Sequence, residues 1–557
     1  MKEKMYGVLF AAIIILMSIP SHAGNIDTFG IGAKATALGG AFAAQADDPF
    51  ALYYNPAGMS WVTKKKFSMG LQVLIPDLSI EDFHVVSQTQ QDLGEHEDPL
   101  LKNSKDFSND AKGLFVPCMG FSMPINDKLS AGFAVYVPWG VELEFDSNPV
   151  NNPAAFNAYH VYMAREVFTP GISYRVNDKL SVGFGLSFGK SHTGLEKILY
   201  IASDLGHIER QAKAITEEDI FGAINAEAKK ADPNAPEINT ASLAAAALYS
   251  KGASLTKEQK YLADLLAQLS LGGHETSEQI AKFFSTHYDG EPGKDHGSEI
   301  EVEMFDHFNI SYNLGLLYQA TPTTRLGLTY RSQTKEGYQG EFKVVRPDQT
   351  VDTMDAMMDY KQPDQLQWGI RYQPHDKLSF EMDMVWTQWS IMDRQVTTLS
   401  KDFQVHTLPG NEVLDSETVT KIFDLERKWV DTIQKRFGME WYAKDWLTLR
   451  LGYFYDPTPV PDETMDFQWP DGDKKIYSLG MGINGSCLYY NDTKLNLDNI
   501  NLDIVFQYGK SEYKRYLGGE SHNMNESYDL TEFYHRRAHL SASGQVWGFG
   551  CSINYTF

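Results

Sequence analysis

The sequence predicts an all-β chain: a 14-stranded antiparallel transmembrane β-barrel with an N-terminal plug and a helical extracellular loop insertion. Three observations predict it. Apolar and polar residues alternate with a period of two in segment after segment, short polar turns alternate with much longer connections, and the alternating segments come to an even number. A chain of 557 residues, 43% hydrophobic and 22% charged, is also long for a single ordinary domain unless a large barrel holds it together.

The last strand shows the pattern. Trp547, Phe549, Cys551, Ile553, Tyr555 and Phe557 alternate with Gly548, Gly550, Ser552, Asn554 and Thr556, so every large apolar group falls on one face. The alternation recurs at Val182, Phe184, Leu186 and Phe188. It recurs again at Leu378, Phe380, Met382, Met384 and Trp386, whose opposite face carries Glu381 and Asp383. A soluble sandwich with one wet face alternates likewise, and the connections decide between the two. Asn126-Asp127-Lys128, Asn177-Asp178-Lys179, Thr321-Pro322-Thr323, His375-Asp376-Lys377 and Lys444-Asp445 are tight polar turns, and long loops lie between them. Tight turns at one end and long loops at the other are the asymmetry of outer-membrane barrels. Strands are expected near residues 65, 113, 129, 163, 180, 303, 324, 364, 378, 430, 446, 475, 500 and 540. The terminal Phe557, ending an alternating strand, suits the signal that the barrel assembly machinery reads.

Before this pattern, Lys2 and Lys4 precede an apolar stretch from Val8 to Ile19 and then Ser21-His22-Ala23, a signal peptide over 1–23. Residues 24–62 are rich in glycine and alanine, with Ala33 to Ala46 weakly helical and Asn55-Pro56-Ala57-Gly58 a turn. They are expected to plug the barrel formed by 63–557. Residues 198–298 carry helical signals. Thr256 with Gln259 forms a capping box before a leucine-rich run that Gly272-Gly273 stops, and another helix is expected from Glu217 to Lys230.

Composition narrows the function. Past residue 20 no apolar run is long enough for a spanning helix, which excludes a multi-helix membrane protein. With 73 acidic against 49 basic residues, nucleic acid is a poor partner. The three cysteines, Cys118, Cys487 and Cys551, supply no disulfide framework. Neither a catalytic constellation nor a metal site can be assembled from spacing, and His535 and His539 are flanked by Arg536 and Arg537. By strand phase, Arg325, Arg331, Arg371, Arg450, Glu381, Asp383, Glu440 and Asp503 point inward. There the arginines either hold a substrate carboxylate or pair with the acids from strand to strand. Pro138-Trp139-Gly140 interrupts the third strand, as a bulge or as the early start of a loop.

Two motifs carry a resemblance. Gly39-Gly40-Ala41-Phe42-Ala43, Ala46-Asp47-Asp48 and Tyr53-Tyr54-Asn55-Pro56-Ala57-Gly58-Met59 resemble the amino-terminal hatch of the FadL family (OMPP1/FadL/TodX). The run from Arg450 to Pro461 is similar to that family's signature near the carboxyl end. The resemblance implies an outer-membrane protein, a monomer without a cofactor, surrounded by outer-membrane lipid and lipopolysaccharide. It would passively transport long-chain fatty acids or other hydrophobic compounds. It also implies that Pro138, Trp139 and Gly140 open the wall sideways, that Gly39, Gly40, Asn55, Pro56 and Ala57 belong to the plug, and that Arg450 leads the substrate-binding arginines. The insert 198–298 becomes a groove that first captures substrate, or a lid or partner-binding element. A surface adhesin displayed on the barrel is the second reading and an outer-membrane hydrolase the third.

Overall fold

A computed structural model of the chain describes residues 29–89, 104–110, 112–148, 151–198, 299–345, 350–406, 416–419, 421–490, 493–494, 497–525 and 534–557. The expected signal peptide, the first residues of the expected plug and nearly all of the expected helical insert lie outside the described residues.

Fourteen antiparallel strands close into one barrel. They are β1 (Lys66–Thr89), β2 (Leu114–Pro124), β3 (Leu129–Glu144), β4 (His160–Arg175), β5 (Leu180–Ile198), β6 (Glu299–Thr321) and β7 (Thr324–Arg331). The ring continues with β8 (Gln365–His375), β9 (Leu378–Thr387), β10 (Thr432–Lys444), β11 (Leu447–Asp456), β12 (Lys474–Asn484), β13 (Ile500–Ser511) and β14 (Tyr534–Thr556). Each pairs with its neighbours and β14 pairs with β1, so the ring has no end strand. Beyond β7 and β8 the ladder continues as Thr334–Val345 and Val351–Gln362, which pair with each other. The strands begin where the alternation placed them.

The tight turns follow from local chemistry. The Asn126 side chain accepts from the amides of Lys128 and Leu129 at 2.9 Å, and Asn177 accepts from Lys179 and Leu180 at 2.8 and 2.9 Å. Each asparagine thereby mimics one turn of backbone. One connection at this end departs from the pattern: residues between β12 and β13 include a 3-10 turn, Gly485–Cys487, and a two-residue ladder, Tyr489–Tyr490 with Thr493–Lys494.

The outer face is apolar. Leu479 is 57% exposed, Met382 56% and Phe549 50%. Such a belt is costly in water and suited to lipid. No described helix is long and apolar enough to cross a membrane; the crossing is made by strands.

Two local expectations need correction. The helix forecast over Ala33 to Ala46 is confined to Ala33–Ala37, because Gly39 and Gly40 take φ of +64° and +71° and end it. The third strand does not give way to an early loop: β3 runs unbroken through Pro138-Trp139-Gly140 to Glu144, with a bulge between Tyr136 and Trp139.

Candidate functional site

Residues 29–62 lie inside the ring. Their small side chains meet glycines on the wall: a Cβ on Gly452 would stand 2.2 Å from the Gly39 amide nitrogen, and one on Gly327 2.1 Å from the Ala43 carbonyl oxygen. Pro56 and Ala57 approach Gly183 of β5 and Gly315 of β6 in the same way. Polar wall residues hold the segment's backbone. Asp383 accepts from the amides of Phe42 and Ala43, both at 2.9 Å. Asn313 donates to Leu52 and Thr329 to Tyr54, both at 2.7 Å. Asn55 donates to the carbonyls of Ala43 at 2.8 Å and Leu316 at 3.0 Å, while its oxygen caps the 3-10 turn Pro56–Trp61.

The four arginines expected to bind substrate all have protein partners. Arg450 donates to Glu440 and Asp503, each at 2.6 Å. Arg371 lies 3.0 Å from Glu381. Arg331 donates to Gln365, Gln367 and the Tyr53 carbonyl, and its guanidinium lies 4.6 Å from the Tyr53 ring centroid. Arg325 donates to Gln319 and lies over Trp61. Arg331 and Arg325 therefore bear on the enclosed segment, and Arg450 and Arg371 on wall carboxylates. Within the segment, Lys34 pairs with Asp47 at 2.8 Å, an attraction that holds the Asp47 carboxyl well below the usual range despite its burial. Burial, with Asp47 beside it, instead pushes Asp48 up to about 7.

Beside this segment the wall is split. The β2–β3 ladder runs only from Pro124↔Ser130 to Met119↔Val135. Both strands continue past it, as Leu114–Cys118 and Tyr136–Glu144, without pairing to each other. Each bordering edge carries one proline, Pro117 and Pro138, which lack an amide to donate. A small pocket lies behind the split, lined by Gly30, Ile31, Val116, Pro117, Cys118, Tyr136 and Val137.

A larger cavity of about 90 Å³ opens toward the long-loop end. Phe29, Leu78, Leu143, Met465, Ile476 and Val546 supply its apolar lining, and its basic residues are Lys474 and Arg515, with Lys510 on the same lining. Lys474 pairs with Asp471 and lies 3.7 Å from Asp456, and Arg515 donates to Asp462 at 2.8 Å. Elsewhere at this end a relay of rings runs from the β3 bulge: Trp139 to Trp389 at 5.5 Å between centroids, Trp389 to Trp429 at 5.3 Å, Trp429 to Trp469 at 5.9 Å and Trp469 to Tyr360 at 6.2 Å. Arg427, wholly buried, ties these loops together by donating to Asp466 at 2.6 Å, Gln468 at 2.8 Å and Gln395 at 3.0 Å. Sequence reasoning missed Arg427, Asp466, Lys474 and Arg515. They lie in loops or at strand ends, where no periodicity marks the inward direction.

The family model for the outer membrane protein transport proteins (OMPP1/FadL/TodX) matches residues 14–557. The long-chain fatty acid transport protein of Escherichia coli O6:H1 is 22% identical over 540 residues, covering 94% of this chain and 93% of that protein. Outer membrane protein P1 of Haemophilus influenzae is 22% identical over 535 residues, covering 93% of each. Among solved structures, a Pseudomonas aeruginosa FadL homologue superposes with a TM-score of 0.59 at 17% identity, covering 97% of this chain and 99% of that one. The Pseudomonas putida toluene transporter TodX superposes with a TM-score of 0.54 at 14% identity, covering 96% and 100%. The chain belongs to the OMPP1/FadL/TodX family of outer-membrane transport proteins.

Proposed function

We propose, from that membership, that the barrel passively carries hydrophobic molecules with long apolar chains, fatty acids foremost, from the cavity under the long loops to the split between β2 and β3 and out into the outer leaflet. The observation that carries this is the split itself, a place where two lipid-facing strands of a closed barrel stop pairing beside an internal pocket. The energetics favour a sideways exit, since an apolar chain gains about 0.8 kcal/mol per methylene withheld from water. Residues 24–62 act as the plug that denies a straight aqueous path. In this reading Arg325 and Arg331 anchor the plug, and Arg371 and Arg450 balance the wall acids. A fatty-acid carboxylate meets Lys474 and Arg515 in the cavity, competing with Asp471 and Asp462 for them.

The test is uptake of a labelled long-chain fatty acid and of a labelled aromatic hydrocarbon by cells whose only such transporter is this chain. Uptake of the fatty acid, reduced more by Lys474→Gln than that of the hydrocarbon, supports the proposal. A barrel that takes up neither is an adhesin or another binding protein.

A further inference from the structure

The outer wall above the lipid belt is divided by charge. On β10–β14, apolar rows end in a row of rings: Phe437 faces Tyr453, Tyr453 faces Tyr477, Tyr477 faces Tyr508 and Tyr508 faces Trp547. Tyr453 and Tyr477 stand 5.4 Å apart, and Tyr508 and Trp547 4.5 Å. This is an interfacial girdle. One pleat farther toward the long loops, in the same register, lie Lys435, Tyr455, Lys475, Lys510 and Gln545. Lys475 pairs with Glu512 at 2.6 Å, Tyr455 donates to Asp473 and Gln545 to Asp77. Lys435 and Lys510 are exposed, and among the described residues neither has an ion-pair partner. Strands about 4.8 Å apart place the three ammonium groups within roughly 15 Å along one line.

The other side of the barrel carries the opposite sign. Register runs from Glu142 through Tyr162 and Gly194 to Glu303, Glu341 and Asp355, with Glu144, Glu196 and Glu301 one pleat beyond. Counter-cations there are local: Lys112 on Glu144, His160 between Glu142 and Glu196, and Lys343 at 3.4 Å from Glu341. The acidic sector begins at β3, on the border of the split.

We propose that Lys435, Lys475 and Lys510 form a site for the phosphate groups of a phosphorylated glycolipid of the outer leaflet, whose acyl chains lie on the ring-bearing and apolar rows beneath. The lipid class follows from the geometry. The cations sit one pleat above a membrane-interface girdle, where a lipid phosphate resides and a soluble anion has no apolar surface to use. Repulsion by the acids keeps such phosphates away from the split, so bound lipid does not close the exit.

The test uses the full chain folded in detergent micelles, with native mass spectrometry counting retained lipid A, dephosphorylated lipid A and inorganic phosphate. Phosphorylated lipid A should be retained in preference to the dephosphorylated form. Combined Lys435→Gln, Lys475→Gln and Lys510→Gln should weaken it roughly a hundredfold, at about fivefold per lysine near the surface, while the three arginine replacements retain it. Heat-modifiable migration reports folding for each variant, and Lys510→Gln alone, which breaks no ion pair, should still cost about fivefold. Equal retention of the dephosphorylated lipid, unchanged retention by both glutamine variants, or full displacement by millimolar inorganic phosphate would overturn the site.

Discussion

Two seams of the same barrel differ in kind. The β14–β1 seam, which joins the chain's last strand to its first, stays paired from Lys66↔Thr556 to Thr89↔Tyr534, with one irregularity between Glu81 and His84. The β2–β3 seam joins neighbours through a tight turn, yet it stops at Met119↔Val135. Closeness in sequence therefore does not set how long a ladder runs. The long seam carries one proline, Pro76 opposite Val546, and stays paired through it, with Phe549 opposite Val73 and Trp547 opposite Ile75. The short seam differs in having a proline on both edges, Pro117 and Pro138, neither with an amide to donate. Unpaired backbone facing lipid is expensive, so a split of this length persists only where something lies behind it; here that is the enclosed segment around Gly30–Ala33, with Tyr136 and Val137.

The comparison is broken most severely at the long seam. Val73 pairs with both Phe549 and Phe115. Val73→Pro should leave a ladder carbonyl without its donor in lipid, at several kcal/mol, and abolish the heat-modifiable folded form, whereas the native Pro138 is tolerated. A folded Val73→Pro barrel would show that the two seams do not differ.

Closing the short seam comes next. Pro138 and Gly140 replaced together by valine should extend the ladder and remove uptake of apolar substrate while the barrel stays folded. Undiminished uptake would sink the lateral exit and favour passage past a displaced plug.

What stands behind the split is tested through Asp383, whose carboxylate holds the amides of Phe42 and Ala43. Asp383→Ala should loosen residues 29–62 by about 1.5–3 kcal/mol for each charged bond lost. Faster amide hydrogen exchange at Phe42 and Ala43, with the strands still protected, is the expected signature; unchanged exchange would mean the glycine contacts suffice.

The smallest effect is on pH dependence. Asp48 caps the Phe50 amide at 2.8 Å, next to Pro49, which packs on Gly120 of β2. Its carboxyl is raised from 3.8 to about 7, first by burial and then by Asp47. A raised carboxyl is equally protonated in both states below pH 3.8, and its contribution is lost as pH rises toward 7, because the released segment ionises first. Segment exchange, divided by the intrinsic base-catalysed rate at each pH, should therefore quicken between those values and flatten in Asp48→Asn. A slowing over the same interval would reverse the assignment.

Strand number, strand phase and turn positions were legible in the sequence because each depends on residues adjacent in the chain. A period of two puts Arg450, Glu440 and Asp503 inside wherever the strands sit, and Asn126 and Asn177 shape their turns by bonding amides two and three residues on. The Ala33 to Ala46 helix was overread because alanine favours helix while only the close approach to Tyr453 demands a left-handed glycine at position 39. Which partner each inward arginine takes, where the β2–β3 ladder ends, and that Arg427 bonds to Gln395 and Asp466 depend on residues far apart in sequence. The lysine row is of the same kind. Lys435, Lys475 and Lys510 stand on three strands, and nothing along the chain relates them; the hydrogen-bond register, which a shift of one residue would turn inside out, brings them to one line.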